Sequence, residues 1–286
     1  MPAKKKDHDL VETDPTAQVP ATLDYGDDAE LGYENQTSAD LKPAFLNVLQ
    51  AGSPEVLAED STLKAGMLYN TGTKEAVKGS EGLIIIPVKT EHLFVEWIPR
   101  SQGGGFVATH KPESDIVLKA KAESKKFGKY SVGDHDLVET FYIYALNVAT
   151  RSYMIFPLAS TKIGPYRDWN TETRLFDYTA FNIPKRPPIF AHQVRVTTVL
   201  EKRPGKGDSY TVCLQPAYPE TEVNGEKRPA IVNSMIGVDN PLYLDAKKFL
   251  KSYNEGNVQV DYESAGQEPD MTVHTTVSDD DRNVPW

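Results

Sequence analysis

Holding an unpaired nucleic-acid strand takes two kinds of side chain. Cations follow the phosphates, and aromatic faces stack on the bases, each stack being worth about 1–3 kcal/mol. This chain sets the two kinds side by side at several points. Lys125, Lys126 and Lys129 surround Phe127 and Tyr130, inside a polar, basic run from Lys111 to Gly133 that also carries Lys119 and Lys121. Arg151 stands two residues before Tyr153, and Tyr166, Arg167, Trp169 and Arg174 follow close together. In the run Phe190 to Leu200, strand alternation puts Phe190, Val194 and Val196 on one face and Gln193, Arg195 and Thr197 on the other. Arg195 is then directed to a solvent-facing groove, with Lys202, Arg203 and Lys206 at its rim.

Packing competes with binding at each of these places. Tyr142 and Tyr144 share a face with Leu146 and Val148, and Trp97 shares one with Leu93 and Val95, so core packing is the stronger assignment for all three. The lysine-rich run reads equally well as a solvated loop. Trp169, beside Arg167 in polar surroundings, is the leading stacking candidate.

Signals for catalysis are sparse. His8, His92, His110, His135, His192 and His274 show no metal-ligand spacing. His135 between Asp134 and Asp136 is a conceivable metal or acid–base site, but a loop cap before a strand is the simpler role. There is no Gly-x-Ser-x-Gly, and Cys213 lies on an apolar strand as a small core residue. Gly103-Gly104-Gly105 lacks the following Gly-Lys-Ser/Thr of a phosphate cradle and reads as a hairpin turn. Carboxylates concentrate toward the chain ends, where nothing fixes a catalytic geometry. No catalytic residue, metal ligand or cofactor is therefore assigned.

The elements that must position the candidates are mostly strands. Ala44 to Gln50 reads as one or two helical turns, and Ser53-Pro54-Glu55 as a helix start. Gly82 to Val88 is a buried strand, and Leu93 to Ile98 folds back on it across a short polar connection. Leu137 to Val148 is the longest strand signal and forms a hairpin with Arg151 to Leu158 through Ala149-Thr150. A polar, partly helical stretch follows, then strands at Phe190–Leu200 and Tyr210–Gln215, and a closing helix over Asp245–Tyr253. Antiparallel strands with a helix inserted before the last hairpin suit a mainly β, OB-like Greek-key barrel with a few helices, with a β-sandwich as the alternative.

The net charge of −10 is unevenly spread. Residues 1–41 hold 3 basic and 10 acidic side chains, residues 253–286 hold 1 and 8, and residues 42–252 hold 27 and 23. A mildly basic domain over 42–252 is thus flanked by an acidic arm (1–41) and an acidic tail (253–286), both read as disordered. Such ends could screen a nucleic-acid groove or merely keep the chain soluble. No apolar run approaches a membrane span, Lys4-Lys5-Lys6 leads into acidic rather than apolar sequence, and one cysteine excludes an internal disulfide; a reducing cytoplasm fits best.

The chain ends Ser278-Asp279-Asp280-Asp281-Arg282-Asn283-Val284-Pro285-Trp286. Pro285 limits the backbone, Trp286 can fill a pocket, and the terminal carboxylate can pair with Arg or Lys. This ending resembles the acidic, aromatic-terminated tails of bacterial and tailed-phage single-stranded DNA-binding proteins. Arg282 interrupts the negative run, and Trp stands where the bacterial type has Phe. The resemblance implies an OB fold that coats single-stranded DNA in phage replication or recombination, in the cytoplasm of an infected host. It also implies that Asp279, Asp280, Asp281, Pro285 and Trp286 dock replication proteins such as a polymerase, helicase or primase and compete for the protein's own groove. Homo-oligomerisation stays open. The rivals are a virion or scaffold-type interaction protein and a metal-dependent nucleic-acid enzyme using a carboxylate such as Asp134.

Overall fold

The computed structural model describes residues 44–124, 128, 130–202, 207–223, 225–258 and 260–262. In chain order these form β1 (Ala44–Val48), α1 (Pro54–Leu57), β2 (Leu68–Asn70), β3 (Ala76–Val77), β4 (Leu83–Trp97), β5 (Phe106–His110) and α2 (Asp115–Glu123). Then come β6 (Tyr130–Val132), β7 (His135–Asn147), β8 (Tyr153–Ala159), α3 (Ile163–Leu175), β9 (Val194–Glu201) and β10 (Ser209–Pro216). A small ribbon of β11 (Thr221–Val223) and β12 (Glu226–Arg228), α4 (Ala230–Asn233) and α5 (Pro241–Asn254) complete the order.

Two long strands carry the architecture. β4 and β7 pair antiparallel from Ile85↔Asn147 to Trp97↔Asp136. The hairpin expected between Gly82–Val88 and Leu93–Ile98 is corrected here: the chain runs on as one strand, and Lys89 to His92 pair with Tyr144 to Phe141. The register shifts between Pro87 and Lys89, where proline has no N–H to give to the ladder. Ala44–Val48 is likewise a strand and not a helical turn. Phe45 is buried in the cluster on one face of the sheet and Leu46 and Val48 in the cluster on the other, an apolar pattern that suits a doubly covered strand.

The sheet runs β10-β9-β4-β7-β8-β1-β2-β3, with β5 on the far half of β4 and β6 on the first half of β7. All these pairs are antiparallel except β1 with β8. One buried cluster joins Leu46, Val48 and Leu68 from one end of this order to Val212 and Leu214 from the other, together with Ile85, Ile143 and Phe156 between them. Side chains from both ends can meet only if that face is concave, so the sheet is a curled half-barrel. Tyr166 and Trp169, one helical turn apart on α3, fill the same cluster. The curl is tied by side chains: Gln50 accepts from the Tyr210 N–H at 2.9 Å and donates to the Tyr210 carbonyl at 2.8 Å. Thr198 Oγ1 donates to Gly66 O at 2.6 Å. Gly66 has φ +86° and lies so close to the Tyr210 ring that a Cβ there would collide with it.

The convex face is covered by α5 and the residues after it. Tyr142, Tyr144, Val95, Trp97 and Ile155 pack with Phe249, Tyr253, Val260 and Tyr262, and Ile86, Val88 and Leu146 pack with Ala246. Asn240 caps α5 by accepting from the Leu242 N–H at 2.9 Å, with Pro241 opening the helix. The packed chain thus reaches Tyr262. At the far end of β4 and β7 the local order is β5-β4-β7-β6, and α2 lays Val117 and Ala120 on Phe94 and Leu137 there.

Candidate nucleic-acid interface

The pairing of β4 with β7 decides what the face beneath α2 and α3 carries. His92 lies opposite Phe141, Phe94 opposite Glu139 and Glu96 opposite Leu137, so these six side chains share that face. The rings form a continuous row: Tyr130–Phe94 at 5.8 Å, Phe94–His92 at 5.4 Å, His92–Phe141 stacked at 4.1 Å, Phe141–Tyr166 at 4.6 Å and Tyr166–Trp169 at 6.1 Å. Two cations sit over it. Lys121 of α2 places its Nζ 4.4 Å from the centre of the Phe94 ring, and the Arg167 guanidinium of α3 lies 5.5 Å from that of Phe141. Both cations are exposed. Arg174, also exposed, falls two turns beyond Arg167 on the same side of α3, about 10.5 Å along the helix.

Arg167 donates to Glu139 Oε1 at 3.0 Å. His92 Nε2 lies 2.9 Å from the same oxygen but off the line that a hydrogen bond needs, and it has no other partner. Burial, with the charges of Lys121 and Arg167, holds the His92 imidazole below its usual pKa against the opposing pull of Glu139. A second cluster lies further out on the face. Glu96, a buried carboxylate, pairs through Oε2 with His110 Nε2 at 2.7 Å and through Oε1 with His135 Nδ1 at 2.6 Å. Burial works against its charge, yet the bonds to His135 and His110 outweigh it and keep the carboxyl below the usual range. His135 is the first residue of β7 and part of this cluster, where a loop-capping role was expected. Among the described residues no group of three or more His, Cys, Asp or Glu side chains could hold a metal ion.

The candidates named from sequence do not converge. Tyr166 and Trp169 are 5% and 4% exposed, so the stacking role expected of them is corrected to core packing: on α3 they face the concave cluster while Arg167 and Arg174 face solvent. Tyr130 is partly buried against Phe94 under α2. Arg151 pairs with Asp245, and Tyr153 stacks on Phe249 at 4.3 Å, both on the convex side with α5. Arg195 likewise lies on the convex side, giving its guanidinium to Glu81 O and Ala217 O, each at 3.3 Å, because Val194 and Val196 take the concave one. Lys202 is exposed at the end of β9. Arg195 and Trp169 are therefore on opposite faces of the sheet, and no single trough joins them. Lys125, Lys126, Lys129, Arg203 and the tail residues Asp279, Asp280, Asp281, Pro285 and Trp286 lie outside the described residues.

Two smaller expectations are also settled. Gln102, Gly103 and Gly104 spend their N–H groups on Pro99 and Arg100 carbonyls, so the glycine run is the β4–β5 hairpin turn and not a phosphate cradle. Cys213 is half-buried on the outer face of β10, with Val212 and Leu214 taking the core positions beside it.

A half-barrel of mixed sheet, plugged by one helix, backed by another and carrying a cation-capped aromatic row, defines a mainly β protein. The chain belongs to the Pam3 phage gp34-like protein family, whose model matches residues 11–259. Comparisons with curated proteins and with solved structures give no match. No described helix is long and apolar enough to cross a membrane.

Proposed function

We propose that this phage protein binds single-stranded DNA during replication or recombination, using the face beneath α2 and α3. The observation that carries the proposal is the placement of Lys121 and Arg167, exposed cations over rings of one continuous row, with Arg174 exposed two turns beyond Arg167 on α3. Phe94 and Trp169 are too deeply buried to accept a base, and Phe141 is already stacked by His92 and packed on Tyr166, so phosphate contacts supply most of the affinity. The curled strands, with α3 inserted before the β9–β10 hairpin, support a relationship to the OB-like Greek-key barrel, from which the parallel β1–β8 pair and the added strands depart.

On this proposal the acidic ending docks replication proteins and competes for the same cations, and the protein works in the cytoplasm of the infected host. Deleting Ser278 to Trp286 leaves or raises DNA affinity and abolishes partner binding. The testing experiment is a gel-shift titration with matched single- and double-stranded oligonucleotides at two salt concentrations. Tighter, salt-sensitive binding of the single strand is the expected result. Absence of salt-sensitive binding to either form would favour a virion or scaffold-type interaction protein, and cleavage that depends on added magnesium or manganese would favour an enzyme.

A further inference from the structure

The Glu139 carboxylate serves two partners through one oxygen. Arg167 holds Oε1 at 3.0 Å, and the His92 Nε2 stands 2.9 Å from the same atom without a well-directed bond. The charged groups acting on His92 come from each element around it: Glu139 from β7, Lys121 from α2 and Arg167 from α3. The two cations disfavour a proton on the ring, and the carboxylate favours one. A bound phosphate would change this balance in a single direction. It would neutralise Lys121 and Arg167, and it would draw the Arg167 guanidinium off Glu139, leaving that carboxylate without its cation and with His92 as the nearest group able to replace it.

We infer that His92 takes up a proton as Arg167 exchanges Glu139 for a phosphate, which makes binding at this face proton-linked and stronger as pH falls. The inference rests on the proposed single-strand binding and adds its regulation. The sign follows from linkage. In the free protein the imidazole titrates below its ordinary value of about 6.5. In the complex it titrates higher, so the complex holds more protons and gains affinity as pH drops through that interval.

The decisive measurement has two arms. In the first, the affinity for a fluorescent oligo-dT is followed by anisotropy from about pH 8 to about pH 5 at fixed ionic strength, for the wild type and for His92→Gln. The wild type should gain roughly three- to tenfold, the span of about half to one pKa unit, and His92→Gln should lose most of that gain. In the second, done without nucleic acid, the His92 titration midpoint is read by NMR in the wild type and in Arg167→Ala. The midpoint should rise when the guanidinium is removed. Equal pH dependence in the wild type and His92→Gln would overturn the inference while leaving the binding itself intact. An unmoved midpoint in Arg167→Ala would overturn the coupling. Failure to bind oligo-dT at any pH would remove the proposed function, and this inference with it.

Discussion

Glu91 → Ala should release the C-terminal end of the fold from the convex face. Glu91 accepts from the Tyr144 hydroxyl at 2.7 Å, from the Tyr253 hydroxyl at 2.7 Å and from Lys89 Nζ at 2.9 Å. Lys89 in turn lies 3.4 Å from the centre of the Tyr253 ring, and the Tyr144 hydroxyl is 3.4 Å from that of Tyr262. One carboxylate therefore joins the centre of the sheet to α5 and the segment beyond it. The Glu91 side chain is 22% exposed, so its bonds are only partly screened. A hydrogen bond to a charged group contributes about 1.5–3 kcal/mol, and losing the two phenolic bonds should cost about 2–4 kcal/mol after that screening. Urea unfolding gives the magnitude by linear extrapolation, and hydrogen exchange shows where it falls. The amides of α5 should lose protection before those of β7. Glu91→Gln keeps an acceptor for the phenols and loses the charge partner of Lys89, so it should be the milder change. A Glu91→Ala protein within about 0.5 kcal/mol of wild type, or a Glu91→Gln protein just as damaged, would refute the assignment of this carboxylate as the tie.

Other consequences can be checked with the same protein. Trp169→Ala should cost about 3–5 kcal/mol, because the indole fills the concave core. In a variant with Trp97 and Trp286 changed to Phe, the remaining Trp169 fluorescence should stay constant on adding oligo-dT, and strong quenching would restore the stacking role. At high pH, burial first and then the neighbouring Tyr262 and Glu91 push the Tyr144 phenol up, and burial pushes the Tyr262 phenol up to about 12 against the opposing hydrogen bond with Tyr144. Both folded values exceed the unfolded value of about 10, so their contribution is complete below that pH and is lost above it, between about 10 and 12 for Tyr262. Thermal melts across this range should show a steep fall that Tyr262→Phe blunts; an equal fall in the variant would contradict the linkage.

What the sequence conceals is mostly non-local pairing. The hairpin of β7 with β8, the β9–β10 hairpin and the final helix are each announced by local pattern and turn residues, and they lie close to where that pattern puts them. β1 is not, because Phe45, Leu46, Val48 and Leu49 fit helical spacing, and only the parallel partner β8 makes a strand of them. β4 looks like two strands because the polar stretch Lys89 to His92 imitates a turn. Its Glu91 is satisfied instead by Tyr144 and Tyr253, which are contributed by elements far along the chain. The same reason hides the site. Lys121 and Arg167 stand out in sequence as cations near aromatic residues, but the rings they cover, Phe94 and Phe141, are set by the β4–β7 register. Likewise Glu96, His110 and His135 meet only through three strands whose spacing gives no motif. Trp169 looks like a surface residue in sequence because its polar neighbours occupy the outer side of a helix whose inner side is core.

The central claim is that Lys121, Arg167 and Arg174 contact phosphates of a bound single strand. Its most direct test is the salt dependence of oligo-dT binding by the wild type and by the Lys121→Ala, Arg167→Ala, Arg174→Ala triple variant. Each phosphate contact on a single strand contributes about −0.7 to the slope of log affinity against log salt, so the triple variant should have a slope shallower by about two. An unchanged slope, with the same affinity as wild type, would place the DNA elsewhere or nowhere on this protein.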